Sequence, residues 1–174
     1  LEHLSLPNSI ISIGQNAFEK CSSLIEIEIP SSISSIEDQT FKHCISLKKI
    51  LIPSSIKSIG NEAFDGCRNL EIQIPTSIET IGEKAFQETK AIIIPEKMKV
   101  DQNKSILQNS SLAKIIFSSS ITSLDDYILF NCTSLKNVIL PNSLESIGIG
   151  SFSGCSSLNN IMIPSSVTLI GKKA

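Results

Sequence analysis

Five cysteines, Cys21, Cys44, Cys67, Cys132 and Cys155, are the residues of this chain with the richest potential chemistry. Thiolates converging on one point bind zinc, and thiols at a suitable separation form disulfides. Their spacing argues against both. All five fall at one position of a phrase that recurs about every 23 residues, with Thr89 and Asn109 filling the gaps. If successive copies stack, the thiols form a line with about 4.8 Å between neighbours, not a tetrahedron at about 2.3 Å from a metal. Parallel Cβ vectors also stay farther apart than the roughly 3.8 Å that a disulfide prefers. The column therefore reads as small buried thiols, with Cys21, Cys44 and Cys67 stacked and reduced, and no metal or other cofactor is expected. An odd number of free thiols weighs slightly against an oxidising compartment.

The other reactive residue types do not assemble either. His3 falls in the outward slot of a strand and His43 in a variable turn, so the two occupy different positions of the phrase. Glu26 and Glu28 share a strand face, but paired acids for glycosyl chemistry need a cleft that raises one pKa, and an open sheet desolvates poorly. Gly14, Gly60, Gly82, Gly148 and Gly171 share a turn position that Glu37 and Asp125 also occupy. Glutamate rarely accepts φ > 0, so this column reads as close packing and not as an obligatory left-handed residue. No copy carries G-x-x-x-x-G-K-[ST], or a strand followed by G-x-G-x-x-G, which removes the phosphate loops. Asn103, Asn109 and Asn131 open Asn-x-Ser/Thr triplets; Asn103 would be the most accessible to glycosylation in a secreted chain. The chain reads as non-enzymatic.

What positions these residues is the repeat itself. Its clearest copies are LIEIEIPSSISSIEDQTFKHC from Leu24, LKKILIPSSIKSIGNEAFDGC from Leu47 and LKNVILPNSLESIGIGSFSGC from Leu135. Pro7, Pro30, Pro53, Pro75, Pro95, Ser118, Pro141 and Pro164 mark the register, at spacings of 23, 23, 22, 20, 23, 23 and 23. A fixed period in this range means stacked coils. The pattern LxxIxIP places Leu24, Ile27 and Ile29 on the inner side of a short strand. Proline ends the strand because it has no N–H for a ladder, and the following serines supply turn hydroxyls. IxxIG and a stretch such as NEAFDGC then form three to six residues of helical or 3₁₀ turn. The shortened spacings lie beside strands, so they shorten connections and leave the stacking intact. The expected fold is a parallel-β-rich repeat solenoid with short 3₁₀ or helical turns, an α/β right-handed superhelix. Phe18, Phe41, Phe64, Phe86, Leu129 and Phe152 should form a spine along it.

IPSSIxSIGxxAFxxCxSLxxIxI resembles the BspA-like class of leucine-rich repeats over essentially the whole chain. The resemblance implies a surface or secreted location and adhesion to host proteins or to other cells. The pattern departs from it between Lys90 and Leu112, where Ala-Phe and Cys give way to EKMKVDQNKSILQNSS. Glu96 to Asn109 is accordingly expected to be the most mobile stretch.

At 174 residues and 41% hydrophobic content the chain reads as one elongated domain over 1–174, of about seven to eight coils with an irregular one near 90–112. The absence of polar caps at either end suggests part of a longer array. A net charge of −2 spread along the coils gives no basic stripe, and most of the eight aromatics belong to the spine. Nucleic acid is therefore disfavoured as a partner. No run of 18 apolar residues exists, so no membrane insertion is expected within this segment.

The outward strand positions are the informative surface. One column reads His3, Glu26, Lys49, Glu71, Ala91, Lys114, Asn137, Asn160, and its neighbour reads Ser5, Glu28, Leu51, Gln73, Ile93, Ile116, Ile139, Met162. Ile93, Ile116, Ile139 and Met162 would stand side by side, and a contiguous apolar stripe on a sheet marks a partner surface. The alternative is strand propensity with half-burial of these side chains. Leu51, Ile93, Ile116, Ile139 and Met162, with Lys49, Lys114 and Asn137 beside them, are the expected protein-binding residues on a concave sheet. End-to-end or sheet-mediated self-association is a further option. The competing functional reading is an intracellular, cytoplasmic scaffold or regulatory subunit that docks a signalling enzyme.

Overall fold

The computed structural model describes residues 2–94, 107 and 111–174. Apart from Leu107, the stretch expected to be mobile lies outside these residues, as do Asn103 and Asn109. The chain is a parallel β-solenoid, with 13 short strands among the described residues: β1 (His3–Ser5), β2 (Glu26–Glu28), β3 (Ser35–Ile36), β4 (Lys49–Leu51), β5 (Ser58–Ile59), β6 (Glu71–Gln73), β7 (Thr80–Ile81), β8 (Ala91–Ile94), β9 (Lys114–Phe117), β10 (Ser123–Leu124), β11 (Asn137–Ile139), β12 (Ser146–Ile147) and β13 (Leu169–Ile170). Every pairing is parallel and joins neighbouring coils, as in His3↔Glu26↔Lys49.

Among the described residues two sides of the solenoid carry strands, where the sequence pattern suggested one. LxxIxI forms the first side, in sheets ordered β1-β2-β4 and β6-β8-β9-β11; the Ser-Ile of IxSIG forms the second, in sheets β3-β5-β7 and β10-β12-β13. The expected single sheet along the first side is thus interrupted between β4 and β6. The missing residue of LEIQIP falls at the entrance to β6, beside this interruption. The other two sides continue across this junction: β5 pairs with β7, and Phe64 stacks on Phe86.

The third side holds no helix or 3₁₀ segment among the described residues. It is a ladder of turns. Alternate N–H groups point along the solenoid axis to the next coil: Asn16 to Asp38 O at 3.2 Å, Phe18 to Thr40 O at 2.9 Å and Lys20 to Lys42 O at 2.7 Å. Those between them turn back within the coil, as from Ala17 to Gly14 O and from Cys21 to Phe18 O. The same alternation recurs from Gln39, Phe41 and His43, and again from Tyr127, Leu129 and Asn131. It requires left-handed backbone at two sites per coil, met at Asn16 and Lys20, Gln39 and His43, Glu62 and Gly66, Lys84 and Glu88, and Tyr127 and Asn131. Each non-glycine residue there costs about 1–2 kcal/mol, which the axial bonds offset at about 0.5–1.5 kcal/mol apiece. The glycine column behaves differently, as expected. None of Gly14, Gly60, Gly82, Gly148 and Gly171 has positive φ, and a Cβ on Gly60 or Gly82 would sit 2.5 Å from backbone of the preceding coil.

Inside, Ile27, Ile50, Ile72, Ile92, Ile115 and Val138 line the first side and Ile36, Ile59, Leu124 and Ile147 the second, all buried. The rings of Phe18, Phe41, Phe64 and Phe86 form an offset stack, with centroids 5.3, 5.4 and 5.8 Å apart and planes within 10°. Leu129 is buried, and Phe152 packs partly buried against the same core. The second serine of Pro-Ser-Ser does more than make a turn. Ser32, Ser55, Ser77, Ser143 and Ser166 each donate a hydroxyl to a carbonyl of the preceding coil, at 2.6–2.8 Å.

Phe64 is fully buried with a ring on either face. Phe64→Ala is expected to cost about 3–5 kcal/mol, measured by chemical denaturation. A cost below about 1 kcal/mol would mean that the stack collapses around the gap.

Candidate functional site

The cysteine column is a structural device. Cys44, Cys67 and Cys155 each donate Sγ–H to the backbone carbonyl of Phe18, Phe41 and Leu129 in the preceding coil, at 3.0, 3.1 and 3.1 Å. The same carbonyls accept the N–H of Cys21, Cys44 and Cys132, so both lone pairs are used. Thr89 occupies this slot in its coil and bonds Phe86 O instead, at 2.8 Å. All five cysteines are free; Cys44, Cys67 and Cys132 are buried, whereas Cys21, in the first coil, and Cys155 are only half-buried, contrary to expectation. Burial pushes the Cys44 thiol up to about 12, helped by the neighbouring Cys21, and raises Cys67 further still.

Charged side chains of the turns pair between coils. Lys42 bonds Glu62 and lies 3.8 Å from Asp65. The bond to Glu62 is the main reason the Lys42 ammonium is held above its ordinary pKa, and desolvation raises the buried Asp65 carboxyl. Gln39 bridges Asn16 and Glu62 in a polar ladder along the axis. Among the described residues no three His, Cys, Asp or Glu side chains form a metal cluster. His43, expected to be a solvated side chain, is half-buried, and its ring lies over Gly66, where a Cβ would collide with it. His3 is exposed, 3.8 Å from Glu26.

The first strand side is the remaining surface, and its alternation is the one the pattern predicts: Ile50, Ile72 and Val138 are buried, and the residues flanking them are exposed. Ile93, Ile116 and Ile139 stand side by side in direct register. Ile93 and Ile116 are half-buried, as the strand-propensity alternative anticipated, while Ile139 is 44% exposed. Leu51, also exposed, lies apart from this row, across the break between β4 and β6. Met162 is 84% exposed. It lies outside any strand and, with Ile139, lines an open groove of about 380 Å³ bordered by Lys136, Asn137, Asn142 and Asn160. In the adjoining column Lys49 is bonded to Glu26 at 2.7 Å, Lys114 is half-buried and Asn137 exposed. Ala91, assigned outward, is fully buried.

The BspA type leucine-rich repeat region matches residues 1–100 and 70–174, with six copies. The chain belongs to this family. Several solved structures resemble this BspA-type chain. A leucine-rich-repeat protein of T. pallidum shares 23% identity over 91% of this chain and 78% of its own, with a TM-score of 0.47. A leucine rich cell surface protein of Faecalibacterium prausnitzii shares 24% identity over 98% and 44%, with a TM-score of 0.42. The pneumococcal vaccine antigen PcpA shares 23% over 99% and 50%, with a TM-score of 0.38. No curated protein matches the chain. The BspA-type repeat is a scaffold fold, and no helix among the described residues is long and apolar enough to cross a membrane.

The buried thiols carry a pH prediction. A thiol pKa raised above its unfolded value of 9.0 favours the protonated, folded form. From about pH 9 upward the unfolded chain therefore binds fewer protons than the folded one, and each such thiol removes up to about 1.4 kcal/mol per pH unit until its folded pKa is passed. Denaturation between pH 8 and 11 should show this decline, shallower in Cys44→Ala. An unchanged slope in that variant would place Cys44 outside the titration. Thiol reagent at neutral pH should spare Cys44 and Cys67 in the folded chain and count all five after denaturation.

Proposed function

We propose that this BspA-type solenoid, a single unit over 1–174, is a protein-binding scaffold of a cell-surface or secreted adhesion protein and engages host or cell-surface proteins through its first strand side. The supporting observation is the apolar row that ends in Ile139 and Met162 beside a groove bordered by Lys136 and three asparagines. An apolar centre within a polar, uncharged or cationic border has the composition of a protein interface. Binding is passive. The sheet holds side chains at fixed spacing, so little side-chain ordering is lost on association. Ile93, Ile116, Ile139 and Met162 supply buried area, Lys114 and Asn137 supply polar contacts beside them, and Leu51 and Lys49 extend the surface toward the first coil. The surface location is what membership of the BspA-type family implies.

The test has two parts. Protease treatment of intact cells should remove the epitope of this chain while cytoplasmic markers survive; an epitope protected until lysis would sink the surface reading. Binding to an array of extracellular proteins should then depend on the row. Ile139→Asp with Met162→Asp is expected to weaken any such binding by at least about 100-fold, because central apolar anchors contribute about 2 kcal/mol or more each. The fold should survive, since both positions are exposed. Glu26→Gln with Glu28→Gln should change affinity far less and act mainly on the on-rate. Equal affinity in the folded aspartate variant would move the interface to another side of the coil.

A further inference from the structure

The first strand side divides by charge along the solenoid. Through β6 it carries Glu2, Glu26, Glu28 and Glu71, and two of these acids are paired with a lysine of the next coil, Glu26 with Lys49 at 2.7 Å and Glu71 with Lys90 at 3.0 Å. From β8 onward the same side, residues 90–94, 112–118, 135–141 and 158–164, contains no Asp or Glu. It contains Lys90, Lys114 and Lys136. Lys90 is taken by Glu71, and neither Lys114 nor Lys136 has an ion pair among the described residues.

These two lysines flank the apolar row inside the stack. Lys114 of β9 is half-buried and lies in register with Asn137 of β11, and Lys136 is exposed at the entrance to β11. β8 pairs with β9 on one side, and Asn160 and Met162 share the groove with β11 on the other, so both strands have a neighbour on either flank. Ile116 and Ile139 stand in direct register between the lysines. The surface thus offers two ammonium groups without an internal anion, an aliphatic centre, and the amides of Asn137, Asn142 and Asn160 along the groove. Each amide both donates and accepts, as the backbone of an extended segment does. A basic partner would add like-charge repulsion at both lysines. A nucleic acid would need a longer run of cations than two.

We infer that the partner segment seated on β9 and β11 is an acidic, extended stretch of protein: an aliphatic or aromatic side chain rests on Ile116 and Ile139, and Asp or Glu beside it meets Lys114 and Lys136. This rests on the reading of the first strand side as the binding surface, and adds the chemistry of what binds there. The glutamates of β2 and β6 repel such a segment from the earlier coils, which confines it to the later ones.

The probe is a displayed library of short random peptides, selected on the immobilised 174-residue chain. The peptides recovered are expected to carry Asp or Glu beside Leu, Ile, Phe or Trp. The strongest, labelled and titrated by fluorescence anisotropy, should bind at least about tenfold more weakly to Lys114→Glu with Lys136→Glu, and should weaken on the native chain as salt is raised. A version of that peptide with lysines for its acids should regain the loss on the reversed chain, which damage to the fold would not produce. Lys48→Glu with Lys57→Glu changes net charge equally, away from the site, and should alter affinity by no more than about twofold. Circular dichroism and cooperative unfolding check the variants, with Lys114→Gln and Lys136→Glu in reserve for a misfolded pair. Recovery of no peptide, or of uncharged or basic ones, would overturn the inference. So would an acidic peptide indifferent to reversal at Lys114 and Lys136, or phosphatidylserine vesicles captured as tightly as the peptide, which points to an anionic membrane. The surface reading fails separately: it falls if protease spares the chain on intact cells, whatever the peptides show. It stands if Ile139→Asp with Met162→Asp weakens binding to extracellular proteins while acidic peptides are ignored.

Discussion

Everything in this structure depends on backbone groups of one coil meeting those of the next. A coil of 20 to 23 residues is too short to enclose a core by itself, and its polar backbone must be satisfied across the coil boundary if its apolar side chains are to be buried. Parallel pairing does this on the two strand sides. On the third side, alternate N–H groups of the turn do it, between residues such as Phe41 and Ala63 or Phe64 and Ala85, at 2.9 Å. Side chains then follow the backbone. The phenylalanines stack because their Cα atoms are held in register, and the thiols find a carbonyl one coil away for the same reason.

That constraint explains why such varied residues share one conformation. Lys20, Glu62, Lys84 and Glu88 have no local preference for left-handed backbone, yet all adopt it. The requirement comes from the neighbouring coil, and several bonds made together outweigh the strain at two residues. Glycine enters these sites where the preceding coil lays a side chain over them, as Tyr127 does over Gly150. Cysteine and serine are likewise selected for their reach. Each is a small donor that satisfies a carbonyl in the coil before it, Cys67 at Phe41 and Ser55 at Ile33.

Regular stacking also separates stability from recognition. The inward residues are nearly interchangeable aliphatics, and the outward ones vary from coil to coil, from Glu26, Lys49 and Glu71 at one end to Lys114 and Asn137 at the other. Ion pairs with Lys49 and Lys90 occupy Glu26 and Glu71, while the later coils present Ile139 and Met162. Outward substitutions of this kind leave the ladder intact, so a scaffold can change its surface without changing its fold.

The period, the LxxIxIP alternation, the Phe spine and the close-packed glycine column were legible in the sequence, because each rests on a residue type that recurs at a fixed offset. So was the family. The second strand side was not, since Ser-Ile pairs such as Ser58–Ile59 are too short to show an alternation of their own. The axial turn ladder was hidden as well: its left-handed residues share a position and no chemical type, so a helical turn was the natural reading. Nor could spacing show that strand pairing is interrupted between β4 and β6 while the Phe64–Phe86 stack continues. The exposure of the apolar row was likewise settled by tertiary structure. Pattern places Ile93, Ile116, Ile139 and Met162 on one side of the sheet, but how much of each reaches solvent depends on what neighbouring coils cover, and that leaves Ile139 and Met162 open and Ile93 and Ile116 half-buried.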